Sequence, residues 1–281
     1  MNKLITTIFI LLFPTILLAQ SQAEISVFEP SVISLEGVSE GSPDITADGN
    51  TLVFTRYESY GDKVPYIAER INSGSGWEVR QLTFTDTLYN LAISPDGQRI
   101  VYKTRNRPSP GADRVNNAFR VDRNPDGSWG EPVEMQPDLK DAGYFRIAND
   151  GTLYLFINAS EGTPRGIFTS DLNSDGSYSD PVWLSDAVSP FPSVTYSPII
   201  NDDETKIIVN RAGLTEEEEQ KLGERGLYIH QKYGFQWDTG RRLNLPYSWY
   251  AEVLPDGRLI FVENGDLYEA SLEELGINWN E

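Results

Sequence analysis

Hydrophobic residues recur along the chain in runs of three, and each run begins four residues after an aspartate in a polar turn. The five aspartates are Asp48, Asp96, Asp150, Asp203 and Asp256, so the successive gaps are 48, 54, 53 and 53 residues. The runs are Leu52–Phe54, Ile100–Tyr102, Tyr154–Phe156, Ile207–Val209 and Ile260–Val262. An apolar run without polar alternation is typical of a strand that is buried on both faces. The regular spacing indicates a structural repeat of about fifty residues.

A second column of β-branched residues precedes each aspartate by three positions. Its members are Ile45, Ile93, Ile147, Ile200 and Val253. β-Branched side chains favour strands. Asp-Gly between two strand signals indicates a tight hairpin, because glycine readily adopts the positive φ that such a turn needs. Each repeat is therefore predicted to begin with a hairpin of two buried strands.

Each repeat continues with signals for a third and a fourth strand. The third strand is marked by an aromatic residue, at Tyr66, Phe119, Phe168, Tyr228 and Tyr268. A second aromatic follows about ten residues later, at Trp77, Trp129, Tyr178, Trp237 and Trp279. A fourth strand then follows in four repeats, but the fifth repeat reaches Glu281 without one.

The segment that completes the fifth repeat is predicted to come from the other end of the chain. Residues 28–35, F-E-P-S-V-I-S-L, are similar to the fourth strands E-P-V-E-M and D-P-V-W-L. Closure of a ring leaves only short, protected sheet edges. We therefore predict an all-β fold, a β-propeller of five four-stranded blades closed by an N-terminal strand, with six blades as the alternative. One insertion, residues 214–224, carries a capping-box spacing and is predicted to form a short surface helix.

The first 23 residues differ in composition from the rest of the chain. Lys3 precedes an apolar stretch from Leu4 to Leu18, which is the pattern of a secretory signal peptide. We predict a signal peptide over residues 1–23 and a propeller domain over residues 24–281. The expected location is the periplasm or the cell exterior, with no membrane insertion after cleavage.

The residue inventory excludes several kinds of chemistry. The chain has no cysteine, so it has no disulfide, thiolate metal site or cysteine nucleophile. His230 is the only histidine, which excludes sites that need two imidazoles. The 42 acidic and 23 basic residues give a formal charge of -19. Such a charge repels a phosphate backbone, so nucleic acid is not an expected partner.

The repeat resembles the WD-like propeller repeats of TolB and related secreted bacterial proteins. The residues that carry the pattern S-P-x-I-x-x-D-G-x-x-L-x-F are Ser42, Pro43, Ile45, Asp48, Gly49, Leu52 and Phe54. Partial copies lie at 94–102, 197–209 and 255–261. The resemblance implies a β-propeller and a periplasmic role in protein–protein contacts. TolB proteins have a further α/β domain and usually six blades, so their own partners are not carried over to this chain.

Candidate chemistry is concentrated on the innermost strands. Asp44, Arg146 and Glu252 occupy equivalent positions of repeats one, three and five. Repeats one and five are neighbours in a closed ring, so we expect the two carboxyls to lie side by side with Arg146 across from them. One interpretation is a structural ion network or a ligand-binding group. The alternative is the pair of carboxyls that a glycoside hydrolase or lyase uses.

Aromatic residues at the entrance to the innermost strands indicate a binding surface. Tyr144 and Tyr250 occupy equivalent positions, and Trp249 lies in the non-repeating sequence Y-S-W-Y. Aromatic loops on a rigid scaffold commonly build binding sites. We therefore predict ligand binding at Asp44, Arg146, Glu252, Tyr144, Tyr250 and Trp249.

Two further strings are similar to the start of a calcium loop. They are Asp122, Asn124 and Asp126, and Asp171, Asn173 and Asp175. Neither string has a glutamate at the twelfth position, and a hairpin turn explains both without a metal. The prediction is therefore a binding module for a protein or a glycan, without a cofactor and expected to be monomeric. A binding role is favoured over an enzymatic one, and the carboxylate-dependent hydrolase or lyase stays open as the alternative.

Overall fold

The fold was analysed in a computed structural model. It describes residues 23–280 except 58–62, 72–73, 75, 86–87, 107–114, 137–138, 140–141, 159–163, 214–216 and 218–224. The predicted signal peptide and the predicted helix over 214–224 lie outside the described residues, apart from Ala23 and Glu217. Within the described part of the chain, no helix has the length and hydrophobicity needed to span a bilayer.

The strands form five antiparallel sheets, each built from one repeat, and the predicted five-bladed β-propeller is confirmed. Blade 1 contains β2 (Ser39–Ile45), β3 (Thr51–Tyr57), β4 (Val64–Arg70) and β5 (Trp77–Gln81). Blade 2 contains β6 (Asn90–Ile93), β7 (Arg99–Asn106), β8 (Val115–Asp122) and β9 (Val133–Glu134). Blade 3 contains β10 (Ala142–Ile147), β11 (Leu153–Ile157), β12 (Gly166–Ser170) and β13 (Val182–Trp183).

The last two blades show how the ring ends. Blade 4 contains β14 (Val194–Ile200), β15 (Lys206–Ala212), β16 (Gly226–Tyr233), β17 (Gln236–Trp237) and β18 (Arg241–Arg242). Its predicted fourth strand is β18, and β17 is an extra short strand on the same edge of β16. Blade 5 contains β19 (Ala251–Val253), β20 (Arg258–Glu263) and β21 (Asp266–Ser271).

The N-terminal segment completes blade 5. Strand β1 (Ser26–Val27) pairs antiparallel with β21, and the amide of Phe28 donates to the carbonyl of Leu267 at 2.8 Å. The predicted closure by an N-terminal strand is therefore confirmed, although the strand is Ser26–Val27, directly before the segment 28–35 that the sequence pattern indicated. Phe28 and Ile33 then fill the space between blades 5 and 1, and both are fully buried.

The core consists of five hydrophobic clusters, one at each interface between neighbouring blades. This follows from the sequence, because each blade has unbroken apolar strands and so presents a hydrophobic surface on both sides. All fifteen residues of the five apolar runs are buried except Phe156, which is half-buried. The residues of the β-branched column are buried as well.

The two faces of the ring are formed by different turns and loops. We call the face with the five aspartate turns the lower face, and the face where the innermost strands β2, β6, β10, β14 and β19 begin the upper face. The segments that enter the innermost strands lie on the upper face. Because neighbouring strands of a blade are antiparallel, the second strands end and the third strands begin at this same face.

Candidate functional site

Three charged side chains from three blades meet on the propeller axis. Nη1 of Arg146 donates to Oδ1 of Asp44, and it lies 2.8 Å from Oε2 of Glu252. The side chains of Asp44 and Glu252 are each 3% exposed. The structure thus places the three residues as the repeat register predicts, with the carboxyls side by side and the guanidinium across from them.

Backbone amides satisfy the remaining oxygens of the two carboxyl groups. Asp44 accepts from the amides of Ile45 at 2.8 Å and Ile93 at 2.9 Å. Oε1 of Glu252 accepts from the amide of Val253 at 2.9 Å. Ile93 belongs to blade 2, so the network joins blades 1, 2, 3 and 5. We call Asp44, Arg146 and Glu252 the axial triad.

Burial governs the protonation of the axial triad. Burial raises the pKa of Glu252 well above its usual range, the Arg146 charge opposes the rise, and the nearby Asp44 charge adds to it. Burial also raises the pKa of Asp44, against the opposing effects of Arg146 and the two amides. Burial therefore favours the protonated form of both carboxyls, and the rise in pKa is the larger for Glu252.

The carboxyl geometry bears on the hydrolase alternative. A glycoside hydrolase holds its two carboxyls about 5 to 9.5 Å apart on either side of the bond to be cleaved. Asp44 and Glu252 instead meet on one nitrogen atom of Arg146. The guanidinium of Arg146 therefore occupies the space between the two carboxyls.

Above the triad, three innermost strands contain a β-bulge that the sequence pattern did not reveal. Ser42, Tyr144 and Ser197 adopt φ values of 48°, 51° and 54°, and the strand register shifts at each of them. In a regular strand, successive side chains point to opposite faces of the sheet, so the face of each residue could be deduced from its position in the sequence. The bulges break this rule for these three residues. Non-glycine residues in the left-handed region are strained by about 1–3 kcal/mol and are concentrated at functional sites.

The strain at Ser42 leads to a stability prediction. The Ser42→Gly variant is expected to be more stable by about 1 kcal/mol, because glycine adopts a positive φ without steric cost. Chemical denaturation measures the difference. The matched control is Ser39→Gly in the same strand, where an ordinary extended backbone means that glycine destabilises by about 0.5–1 kcal/mol. Equal effects of the two changes would contradict the assignment of strain.

Five aromatic side chains form a continuous cluster on the upper face, next to the axis. They are Tyr144, Tyr196, Tyr247, Trp249 and Tyr250. The ring centres of Tyr144 lie 4.9 Å from Tyr196 and 5.3 Å from Tyr250. Trp249 stacks 5.6 Å from Tyr196 and lies 5.5 Å from Tyr247. We call this set the aromatic mouth, and Trp249, which is 52% exposed, is its most solvent-accessible member.

A buried lysine supports one side of the aromatic mouth. Nζ of Lys63 lies 4.8 Å from the ring centre of Tyr250 and 5.0 Å from those of Tyr57 and Tyr89. The Tyr250 hydroxyl lies 3.1 Å from this Nζ and accepts from Asn90 at 2.9 Å. These contacts hold Tyr250 in place. Lys63 carried no signal in the sequence, because it follows a loop whose length and composition are not repeated.

The two calcium-like strings form hairpin turns. Asp126 accepts from the amide and hydroxyl of Ser128, and Asp175 accepts from those of Ser177. Asp122 is paired with Arg99 and Arg120. Among the described residues, no group of three or more acidic, histidine or cysteine side chains is placed to hold a metal ion.

A cavity of about 750 Å³ opens on the lower face between blades 2 and 3. Ile147, Leu172 and Tyr178 form part of its lining, together with Arg99 and Asp122. None of the six residues predicted to bind a ligand contributes to it. The cavity and the aromatic mouth therefore lie on opposite faces of the propeller.

No protein family model matches the chain, and no curated protein is significantly similar to it. Solved structures share its fold. The protein BT0996, in its RGII complex, is 12% identical over 85% of this chain and 88% of its own, with a TM-score of 0.50. MPT-4, a mannose phosphorylase from Leishmania mexicana in complex with phosphate ion, is 12% identical over 91% and 93%, with a TM-score of 0.49.

A putative TolB from Agrobacterium tumefaciens is also among the similar structures. It is 16% identical over 79% of this chain and 69% of its own, with a TM-score of 0.47. Identities this low concern the fold alone. The β-propeller itself is established by the five sheets described above.

Proposed function

We propose that this protein is a non-enzymatic ligand-binding module of the periplasm or cell exterior, and that it binds a glycan at the aromatic mouth. The observation that carries the proposal is Trp249, which is 52% exposed and stacks on Tyr196 beside the propeller axis. Rigid aromatic side chains offer a large contact area at a small cost in conformational entropy. Asn90 and Lys63 both bond the Tyr250 hydroxyl, so this side of the aromatic mouth is held in a fixed position before any ligand arrives.

The axial triad supports this proposal from below. Its buried charges are neutralised within the protein, so it forms a rigid floor beneath the mouth. The strained residues Ser42, Tyr144 and Ser197 surround the same place. Strain is retained where the surrounding structure fixes it, which is typical of preorganised sites.

Trp249→Ala is expected to weaken binding at least tenfold, because central aromatic residues dominate the energy of most interfaces. Isothermal titration calorimetry with a panel of neutral and acidic oligosaccharides measures this. The matched control is Phe235→Ala, since Phe235 is a fully exposed aromatic residue on the lower face. Phe235 is fully exposed, whereas Trp249 is 52% exposed and packs on Tyr196, so the melting temperature of each variant is measured to show that it remains folded under the conditions of the titration.

Two outcomes would contradict the proposal. One is that no oligosaccharide binds; the other is that Trp249→Ala and Phe235→Ala reduce binding equally. If a peptide or protein bound instead, and Trp249→Ala weakened its binding, the location of the site would be correct and the assignment to a glycan would be wrong.

The second candidate is a glycoside hydrolase or lyase that uses Asp44 and Glu252. The raised pKa of Glu252 beside Asp44 favours it, since one carboxyl would serve as the acid and the other as the base. The arrangement of both groups on Arg146 disfavours it. Release of new reducing ends from the same panel by the wild type, and not by Glu252→Gln, would assign this activity.

A further inference from the structure

A buried arginine between blades 3 and 4 has only neutral partners among the residues that the structure describes. Arg211, near the upper end of β15, is 7% exposed. Its Nη2 donates to the Val188 carbonyl at 3.4 Å and contacts Nε2 of His230 at 3.1 Å. The guanidinium carbon lies 4.2 Å from the ring centre of Tyr228. Within the described part of the chain, no carboxylate forms an ion pair with Arg211.

His230 does not neutralise this charge. A guanidinium only donates hydrogen bonds, so Nε2 of His230 accepts, and Nδ1 carries the proton and donates to the Asp238 carbonyl at 2.9 Å. Burial lowers the pKa of His230 to about 4. The imidazole is therefore neutral near pH 7, and its contacts within blade 4 account for its burial.

Two buried donors on paired residues of blade 4 remain without a partner in the described part of the chain. Nε of Arg211 and the hydroxyl of Thr195 form no hydrogen bond, and Thr195 is fully buried. The two residues are directly paired across β14 and β15, so their side chains leave the same face of blade 4. Directly paired residues have Cβ atoms about 4.5–5.5 Å apart, so the two side chains start from neighbouring positions on this face.

We propose that this place is a binding site for a small monovalent anion of halide size, held by the Nε–H of Arg211 and the hydroxyl of Thr195. A buried charge without a counterion is strongly unfavourable, and a water molecule would satisfy the hydrogen bonds but not the charge. The enclosure of both residues favours an ion over a bulky oxyanion. The site is separate from the aromatic mouth, and the inference does not depend on the proposed function.

The test is the melting temperature at constant ionic strength while chloride or bromide replaces gluconate. Binding to the folded state alone is expected to raise the melting temperature by roughly 3–5 °C for each tenfold increase in halide above its Kd. Crystals grown with bromide are expected to show an anomalous peak beside Arg211 and Thr195. A wild type with no halide response and no bromide peak would overturn the proposal.

Variants separate a specific site from a general salt effect. Arg211→Met and the milder Thr195→Val are expected to reduce the halide response, while Arg80→Met, which removes a surface cation paired with Glu69, retains it in full. An equal response in all four proteins would overturn the proposal. The sequence also has four consecutive glutamates at 216–219. Suppose that halide raises the melting temperature only after all four glutamates are changed to glutamine. The counterion of Arg211 in the wild type would then be one of the chain's own carboxylates, and the proposal of a bound solution anion would be overturned.

Discussion

Arg146→Met is expected to lower the free energy of unfolding at pH 8 by about 3–5 kcal/mol. The change removes the cation that lies between two carboxyls, each 3% exposed in its side chain. Removing one partner from a buried ion network costs more than the network itself contributes, because charge remains without compensation in a medium of low polarity. Urea denaturation of the variant and the wild type measures the loss.

The loss is expected to depend on pH in a definite direction. Burial already raises the pKa values of Asp44 and Glu252 in the folded protein, and the loss of the Arg146 charge raises both further. A carboxyl with a raised folded pKa contributes stability below its unfolded pKa of about 4, and this contribution is lost as the pH rises through the folded value. The gap between Arg146→Met and the wild type is therefore expected to widen from pH 4 to pH 8.

Two further proteins make the Arg146 experiment decisive. The triple variant Arg146→Met, Asp44→Asn and Glu252→Gln is expected to recover most of the loss, because it contains no buried charge on the axis. The control Arg80→Met breaks an exposed ion pair and is expected to change stability by less than about 1 kcal/mol. If Arg146→Met cost no more than Arg80→Met, the axial triad would not be the buried network that its contacts describe.

The repeat made the fold predictable from the sequence. Five copies of one pattern define five blades, and the absence of a fourth strand in the last copy led to the N-terminal donor. The same register placed Asp44, Arg146 and Glu252 at one height of the ring, which is why their meeting on the axis could be foreseen. Information that recurs in every repeat is thus read reliably from a single sequence.

The parts of the site that depend on departures from the repeat were not predictable. A bulge at Ser42, Tyr144 or Ser197 adds one residue to a strand without changing its hydrophobic pattern. The face to which a side chain points therefore cannot be deduced there from its position in the sequence. Lys63 and Arg211 are buried charges that take their partners from distant segments. Such contacts are set by how the blades pack against each other, which local patterns do not encode.

Removal of residues 24–34 is expected to open the ring. Strand β21 would lose its outer partner β1, and the interface between blades 5 and 1 would lose Phe28 and Ile33, both fully buried. The loss of a buried phenylalanine side chain alone typically costs about 3–5 kcal/mol. We therefore expect the truncated protein to melt at a markedly lower temperature and to associate through the exposed edge of β21. Calorimetry and light scattering measure the two effects.

Point variants distinguish strand closure from a general effect of shortening the chain. Phe28→Ala is expected to destabilise by about 3–5 kcal/mol, whereas Val32→Ala in the same segment should change stability by less than about 1 kcal/mol, because Val32 is 39% exposed. A synthetic peptide of residues 24–36 added to the truncated protein is expected to restore the melting temperature by pairing with β21, as strand addition does at other open sheet edges. A truncated protein that remained monomeric and melted with the full chain would show that blade 5 is stable without its borrowed strand, and that ring closure is not what stabilises this propeller.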